Sequence, residues 1–240
     1  MSALRADLAR PQGERACATE SSVAGLACLL DPSGAIVLPD DGTLVVADLH
    51  LEKGSSLARR GALLPPYDTG ATLARLAEII AHYGPRRVIA LGDSFHDRFG
   101  PERLLAADRA ALAALICGRD WTWIVGNHDP ELPPSIGGNV VAEATIGPLA
   151  LRHHPAAGDA RELAGHLHPV AKVVLHGRGV RARAFLTDGE RCVLPAFGAY
   201  AGGLNACDRA FAPLFARGFT AHVIGRSRMF TLRSEVLCGD

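Results

Sequence analysis

The sequence predicts an α/β fold: one domain built on two packed sheets. Over the first half, strand-length apolar runs alternate with segments whose apolar residues recur at helical spacing. That order favours a mostly parallel sheet. Over the second half the runs become shorter and are separated by tight turns. No internal repeat or low-complexity linker divides the 240 residues, a length that one domain of the larger sort accommodates.

Taken in order, Met1 to Glu20 is polar and lacks the apolar core of a signal peptide. It is expected to form a flexible tail, or a short amphipathic helix around Leu4 and Leu8, ahead of a single domain over 21–240. Val23 to Leu30 and Ala35 to Leu38 read as two strands joined by Asp31-Pro32-Ser33-Gly34, where Pro presets φ and Gly accepts a positive φ. Thr43 to Ala47 is a buried strand ending on Asp48. Leu73, Leu76, Ile79 and Ile80 give Tyr67 to Tyr83 a helical period, stopped by Gly84-Pro85. Arg87 to Leu91 is the next strand, ending on Gly92-Asp93. Pro101 to Cys117 is a second helix, rich in Ala and Leu, with Pro in its first turn and Gly118 after its end. Trp121 to Val125 is a third strand, and its alternating tryptophans suit a core rather than a base-stacking platform. The second half offers strands at Val140 to Ala142, Leu149 to Arg152, Ala171 to Leu175, Val180 to Phe185 and Arg191 to Leu194, with a turn at Thr187-Asp188-Gly189. Phe219 to Ile224 and Met229 to Leu232 form a closing hairpin, and the Gly-rich stretch Pro195 to Asn205 reads as a surface loop or a pocket rim.

Composition excludes some classes of function. Hydrophobic residues make up 48% and charged residues 21%, and 25 basic side chains balance 25 acidic ones. No global basic field advertises a nucleic-acid partner, which argues against a passive, non-specific DNA binder. An enzyme whose metals supply local positive charge stays compatible with it. The six cysteines are scattered without a C-x-x-C pair, as in a reduced, cytoplasmic protein. No apolar stretch is long enough to span a bilayer, so no membrane association is expected.

Function concentrates in five polar motifs, each just after a strand-like run: Asp48-Leu49-His50, Gly92-Asp93-Ser94-Phe95-His96-Asp97, Gly126-Asn127-His128-Asp129, His153-His154 and Gly165-His166-Leu167-His168. Seven of the ten histidines lie in them, leaving His82, His176 and His222 outside. A lone D-x-H commonly caps a helix, and N-H-D can be an Asx-turn. All five together at strand ends would require a separate accident at each place, whereas in parallel sheets ligands gather beyond the carboxyl ends of strands. The Asp, Asn and His donors, without thiolate, suit two divalent ions, Mn foremost, with Fe or Zn as alternatives. Two cations about 3.5–4 Å apart need a shared carboxylate, and a water between them ionises near neutral pH to attack phosphorus. Asp93 is the candidate bridge. Asp48, His50 and His168 would complete one metal; Asn127, His153 and His166 the other. His154 could replace His153, since the alternation of Leu149 to Arg152 leaves both orientations open; His153 is taken because it follows the strand directly. His128 is placed to steady the transition state or protonate the departing oxygen. His96 is assigned to catalysis because a pocket histidine near a polyanion gains a proton readily. Asp97 and Asp129 are expected to orient histidines. Glu52 and Lys53 read as a solvated loop, and Arg59-Arg60, Arg86-Arg87 and Arg178/Arg181/Arg183 as solvated faces, unless one borders the pocket.

The order and spacing of these motifs resemble the calcineurin-like binuclear metallophosphoesterase superfamily. The stretches VADLHLEKGSS, RGALLPPYDT, VIALGDSFHD, WTWIVGNHDP, AGHLHP and LPAFGAYAGGLN resemble, more narrowly, the bacterial DNA-ligase-associated metallophosphoesterases, also called ligase-associated DNA damage response endonucleases. The likeness runs from about Val23 to Phe215. It implies a four-layer α/β/β/α sandwich with mixed sheets and a Mn-dependent phosphodiesterase acting on DNA, preferentially single-stranded. It also implies association with an ATP-dependent DNA ligase, a helicase and an exonuclease. His96 stands where many superfamily phosphatases carry Asp, as in the nucleases, and ligase-associated relatives tend to carry an acidic residue where His154 stands. The alternative is a phosphodiesterase or phosphatase for a small nucleotide or nucleotide-sugar, and a metal-stabilised scaffold is the non-enzymatic reading.

Overall fold

The computed structural model describes residues 17–240 apart from Leu63, Pro66 and His176. The expectation of a tail over 1–20 falls mostly outside these residues; Thr19 and Glu20 already belong to the first strand.

The first sheet has seven strands in chain order: β1 (Thr19–Val23), β2 (Leu26–Leu30), β3 (Ile36–Leu38), β4 (Thr43–Val46), β5 (Arg87–Leu91), β6 (Asp120–Ile124) and β7 (Asn139–Val141). Strands β1 to β4 form an antiparallel meander, and β4 to β7 run parallel. The sheet is therefore mixed, and only its site-bearing part is parallel as expected. Four α-helices accompany it among the described residues: α1 (Lys53–Ala58), α2 (Asp68–Tyr83), α3 (Gly100–Arg103) and α4 (Ala106–Ile116). The second sheet has nine strands: β8 (Ala144–Ile146), β9 (Leu149–Arg152), β10 (Glu162–Ala164), β11 (Pro169–Leu175), β12 (Arg178–Thr187), β13 (Arg191–Val193), β14 (Leu204–Asn205), β15 (Thr220–Ile224) and β16 (Met229–Arg233).

The period-two alternation of the strands sorts side chains into three cores. Leu44, Val46, Val88, Ala90, Trp121 and Trp123 pack with Leu73, Leu76, Ile79, Ile80 and Leu112 beneath the helices. Their neighbours Val45, Ile89, Leu91 and Ile124 meet Leu149, Leu151, Leu163, Phe185 and Cys192 between the sheets. Ala184, Leu186 and Val193 face the other way, under Phe211, Leu214 and Phe215. Three cores separate four layers, the α/β/β/α sandwich. The fourth layer is thin: among the described residues its helical content is the single turns Arg209–Phe211 and Ser234–Val236.

Four elements differ from the sequence reading. Val23 to Leu30 is not one strand but a hairpin, because Ala24 and Gly25 take φ of 49° and 80°. The helix over Pro101 to Cys117 breaks at Leu104-Leu105, whose backbone is extended so that Leu104 can enter the core. Glu52 is not in a solvated loop: it is buried, accepts from the Ser55 and Thr69 hydroxyls, and precedes α1. Pro195 to Gly198 is buried rather than a surface loop, with the amides of Phe197 and Gly198 donating to the carbonyls of Ala47 and Asp48.

Candidate metal centre

Register brings the motifs together. In the parallel trio, Val46 lies beside Ala90, and Ala90 beside Trp123. Asp48, Asp93 and Asn127 therefore leave the sheet at one edge. In the second sheet β9 and β10 are also parallel, with Arg152 beside Ala164, so His153 and His166 emerge together facing them. The Gly165 amide donates to the His153 carbonyl at 3.1 Å. Close packing at this edge needs glycine. A methyl on Gly126 would overlap the Asp93 amide, and one on Gly92 would lie 2.5 Å from the His153 ring.

The backbone at the site is strained in a patterned way. Among the described residues seven non-glycine residues have positive φ, and five of them are Asp48, His50, Asp93, His166 and His168. Each such residue costs on the order of 1 kcal/mol, a cost that persists only where surrounding structure enforces it and that concentrates at functional sites.

Donor atoms converge. His50 Nε2 lies 3.2 Å from His168 Nε2, which lies 3.2 Å from Asp48 Oδ1. His153 Nε2 lies 3.0 Å from Asn127 Oδ1, 3.2 Å from His166 Nδ1 and 3.4 Å from Asp93 Oδ1. Ligand atoms about 2.1 Å from one ion are separated by about 3.0–3.4 Å in octahedral or tetrahedral geometry. The nitrogen–nitrogen and nitrogen–oxygen spacings fall on that length, so the donor set fits divalent ions in both number and chemistry. Asp48, His50 and His168 form one compact triad, and Asp48, Asp93 and His153 another. Of the adjacent pair, His153 is buried and donates from Nδ1 to the Leu91 carbonyl at 2.9 Å, turning Nε2 toward Asp93. His154 is exposed and packs on His166 at 3.8 Å between ring centroids.

His128 and His96 stack beside these donors, centroids 4.9 Å apart. His128 donates from Nδ1 to the His96 carbonyl at 2.7 Å, its amide donates to Asp93 Oδ1 at 2.9 Å, and its Nε2 lies 3.9 Å from Asp93 Oδ2. Among the described residues neither Asp97 nor Asp129 hydrogen-bonds a ring nitrogen. Asp129 accepts from the amides of Phe95 and Gly126, each at 3.0 Å, and Asp97 takes a bidentate pair from Arg103, both at 2.8 Å. They shape the loops that carry His96 and His128.

The electrostatics suit a cation. Burial and the neighbouring His168 push His50 down to about 2. Burial, then the rings of His154 and His153, push His166 down to about 4. Both rings offer lone pairs at neutral pH. Burial would raise Asp93, but the hydrogen bond and charge of His153, with the His128 amide, hold it below the usual carboxylate range. Burial also opposes protonation of His153, yet Asp93 and Asp48 raise it overall, so a proton competes with an incoming cation for this ring. Burial and the charges of Lys53 and His128 push His96 down to about 4. Ready protonation of His96, expected from sequence, is therefore opposed in this protein.

A cleft of 540 Å³ opens beside His96, Asn127 and His128. A cavity of 1360 Å³ lies near Glu20, Asp188 and Arg217 and includes none of the five motifs. No helix among the described residues is long and apolar enough to cross a membrane.

A four-layer sandwich with Asp, Asn and His donors at facing strand ends defines a metallophosphoesterase. The chain is 31% identical to the nuclease MPE of Pseudomonas putida, over 90% of its own length and 100% of that structure, with a TM-score of 0.70. It belongs to the calcineurin-like metallophosphoesterase family, within the DNA-ligase-associated nuclease group, and is a metal-dependent phosphoesterase. The Escherichia coli phosphoesterase Yfce is 16% identical over 81% of the chain and 98% of that structure, at a TM-score of 0.40. A predicted phosphoesterase of Streptococcus pneumoniae is 15% identical over 80% and 96%, at 0.31. Likeness at that level adds nothing to the fold already described. No protein-family model and no curated protein matches the chain.

Proposed function

We propose that the chain is a Mn-dependent phosphodiesterase that cuts DNA, preferentially single strands, and that it holds two ions. The observation that carries this reading is the convergence of Asp48, His50 and His168 in one cluster and of Asp93, Asn127 and His166 around His153 in an adjoining one, with donor spacings suited to shared ions. Fe or Zn would fit the same donors. When bound, the ions would supply Lewis acidity, ionising water and neutralising the phosphoryl oxygens.

The chain's own groups do the rest. Asp93 offers both carboxylate oxygens at the centre, Oδ1 held by the His128 amide. The Leu91 carbonyl fixes the His153 ring with Nε2 inward. The His96 carbonyl fixes His128 by Nδ1, so that Nε2 of the imidazolium form donates to a phosphoryl oxygen or to the departing oxygen. His96, neutral down to about 4, serves as a hydrogen-bonding group against the phosphate and gains a proton only as negative charge arrives.

DNA as the substrate is supported by the 31% identity to a nuclease and by the arginines beside the site. Membership of the ligase-associated group supports a role in DNA repair beside an ATP-dependent DNA ligase, a helicase and an exonuclease. The scattered cysteines support a cytoplasmic setting. The balanced charge favours the second reading, a small nucleotide or nucleotide-sugar substrate.

The test is nicking of a single-stranded circle by protein loaded with Mn. Cutting that stops on chelation, returns with Mn and drops at least a hundredfold in Asp93→Ala supports the first reading. Circles that stay intact while small diesters are hydrolysed would shift the assignment to the second.

A further inference from the structure

We propose that the 540 Å³ cleft beside the metal centre is a track for a single-stranded polynucleotide. In it, Arg59 and Arg60 neutralise the phosphates next to the one attacked, and Phe99 stacks on an unpaired base. The proposal rests on the DNA phosphodiesterase reading and adds which part of the surface takes the strand.

Four arginines line the cleft, and they are not equivalent. Arg103 is spent: it holds Asp97 through two bonds of 2.8 Å. Arg59, Arg60 and Arg98 are exposed and have no carboxylate partner among the described residues. Unpaired cations usually scatter over a surface, and in a chain of zero formal net charge there is no general excess to place here. A small diester carries one phosphate, which the metal centre itself would engage, and it leaves these side chains without a counter-charge. A polynucleotide brings further phosphates at regular spacing and satisfies them.

Phe99 supplies the second part. It is 43% exposed on the same cleft wall, with the Arg98 guanidinium carbon 4.6 Å from its ring centroid. Its amide donates to Asp97 Oδ1 at 2.9 Å, so the Asp97–Arg103 pair fixes the loop carrying both His96 at the centre and Phe99 at the rim. A rigid aromatic flanked by a guanidinium is a stacking platform open to any base, and only an unpaired base can reach it, because duplex bases are already stacked.

The experiment measures binding of a labelled single-stranded oligonucleotide to the Mn-loaded protein by anisotropy across salt concentrations. Cleavage of the same oligonucleotide and turnover of a chromogenic aryl phosphodiester are measured alongside. Phe99→Ala is expected to weaken oligonucleotide binding about tenfold. Arg60→Ala is expected to weaken it several-fold and to lower the slope of log affinity against log salt by about 0.7. In each variant kcat/KM should fall further for the oligonucleotide than for the aryl diester. Wild-type binding in both variants, or equal losses on the two substrates, overturns the track. An equal effect of Phe99→Ala on single-stranded and duplex oligonucleotides overturns the stacking assignment. A wild-type protein that turns over the aryl diester yet neither binds nor cuts the oligonucleotide overturns the nuclease reading itself.

Discussion

Asp129 shows how a residue outside the donor set can govern the centre. Its side chain is wholly buried, and burial pushes its carboxyl up to about 7. It receives the amides of Phe95 and Gly126, which lie just before His96 and Asn127. Asp129→Ala leaves two buried amides unpaired, each costing about 1–3 kcal/mol. The variant should lose about 2–4 kcal/mol of unfolding free energy in urea and bind Mn more weakly by calorimetry; wild-type stability would show that water replaces the carboxylate. From sequence, the donors were legible because side-chain chemistry and strand-end position coincide in them. The role of Asp129 was not, since the amides it binds belong to loops brought together only by the fold. The same holds for Glu52, whose partner Thr69 lies seventeen residues away.

Elements were readable where periodicity was long and unreadable where a single backbone angle decided. Helix α2 carries its period over sixteen residues and stops on Gly84 in the left-handed region. The β1–β2 hairpin has a two-residue turn, a geometry that asks for Asn-Gly or Gly-Gly. Here Ala24 occupies the first position at φ 49°, and an alanine does not announce a turn. Likewise nothing in the Ala- and Leu-rich run signals the break between α3 and α4; burial of Leu104 determines it. The turn makes a quantitative prediction. Ala24→Gly removes the left-handed penalty while keeping the amide bond to the Gly189 carbonyl. Gly also widens the unfolded ensemble, which offsets part of the gain. Stability should rise by about 0.5 kcal/mol, read as a higher melting temperature with unchanged activity; a lower one would mean that the Ala24 methyl, packed against the inter-sheet core, matters more.

The whole molecule sets the pH response, because two sheets press polar donors into a partly buried interface. Depressed histidines favour the neutral form in the folded chain, so unfolding takes up protons once pH drops below their unfolded value near 6.5. His50 at about 2, and His96 and His166 at about 4, all act this way, as does buried His222. Asp129, raised to about 7, acts oppositely: its protonated form stabilises the fold as pH falls from 7 toward 4. His153 is raised, so its contribution is complete below 6.5 and is lost as pH rises through its folded value. Between pH 6.5 and 4 the depressed histidines outnumber the two opposing carboxylates, Asp129 and Glu162, the second of which burial also raises. Chelated protein should therefore melt at progressively lower temperature from pH 7 to pH 5. Added Mn should raise the melting temperature more at pH 7 than at pH 5, since the His153 proton competes with the ion more strongly at the lower pH. A melting temperature independent of pH in chelator would mean that these rings are solvated rather than pressed together, and a Mn effect equal at both pH values would remove His153 from the ligand set.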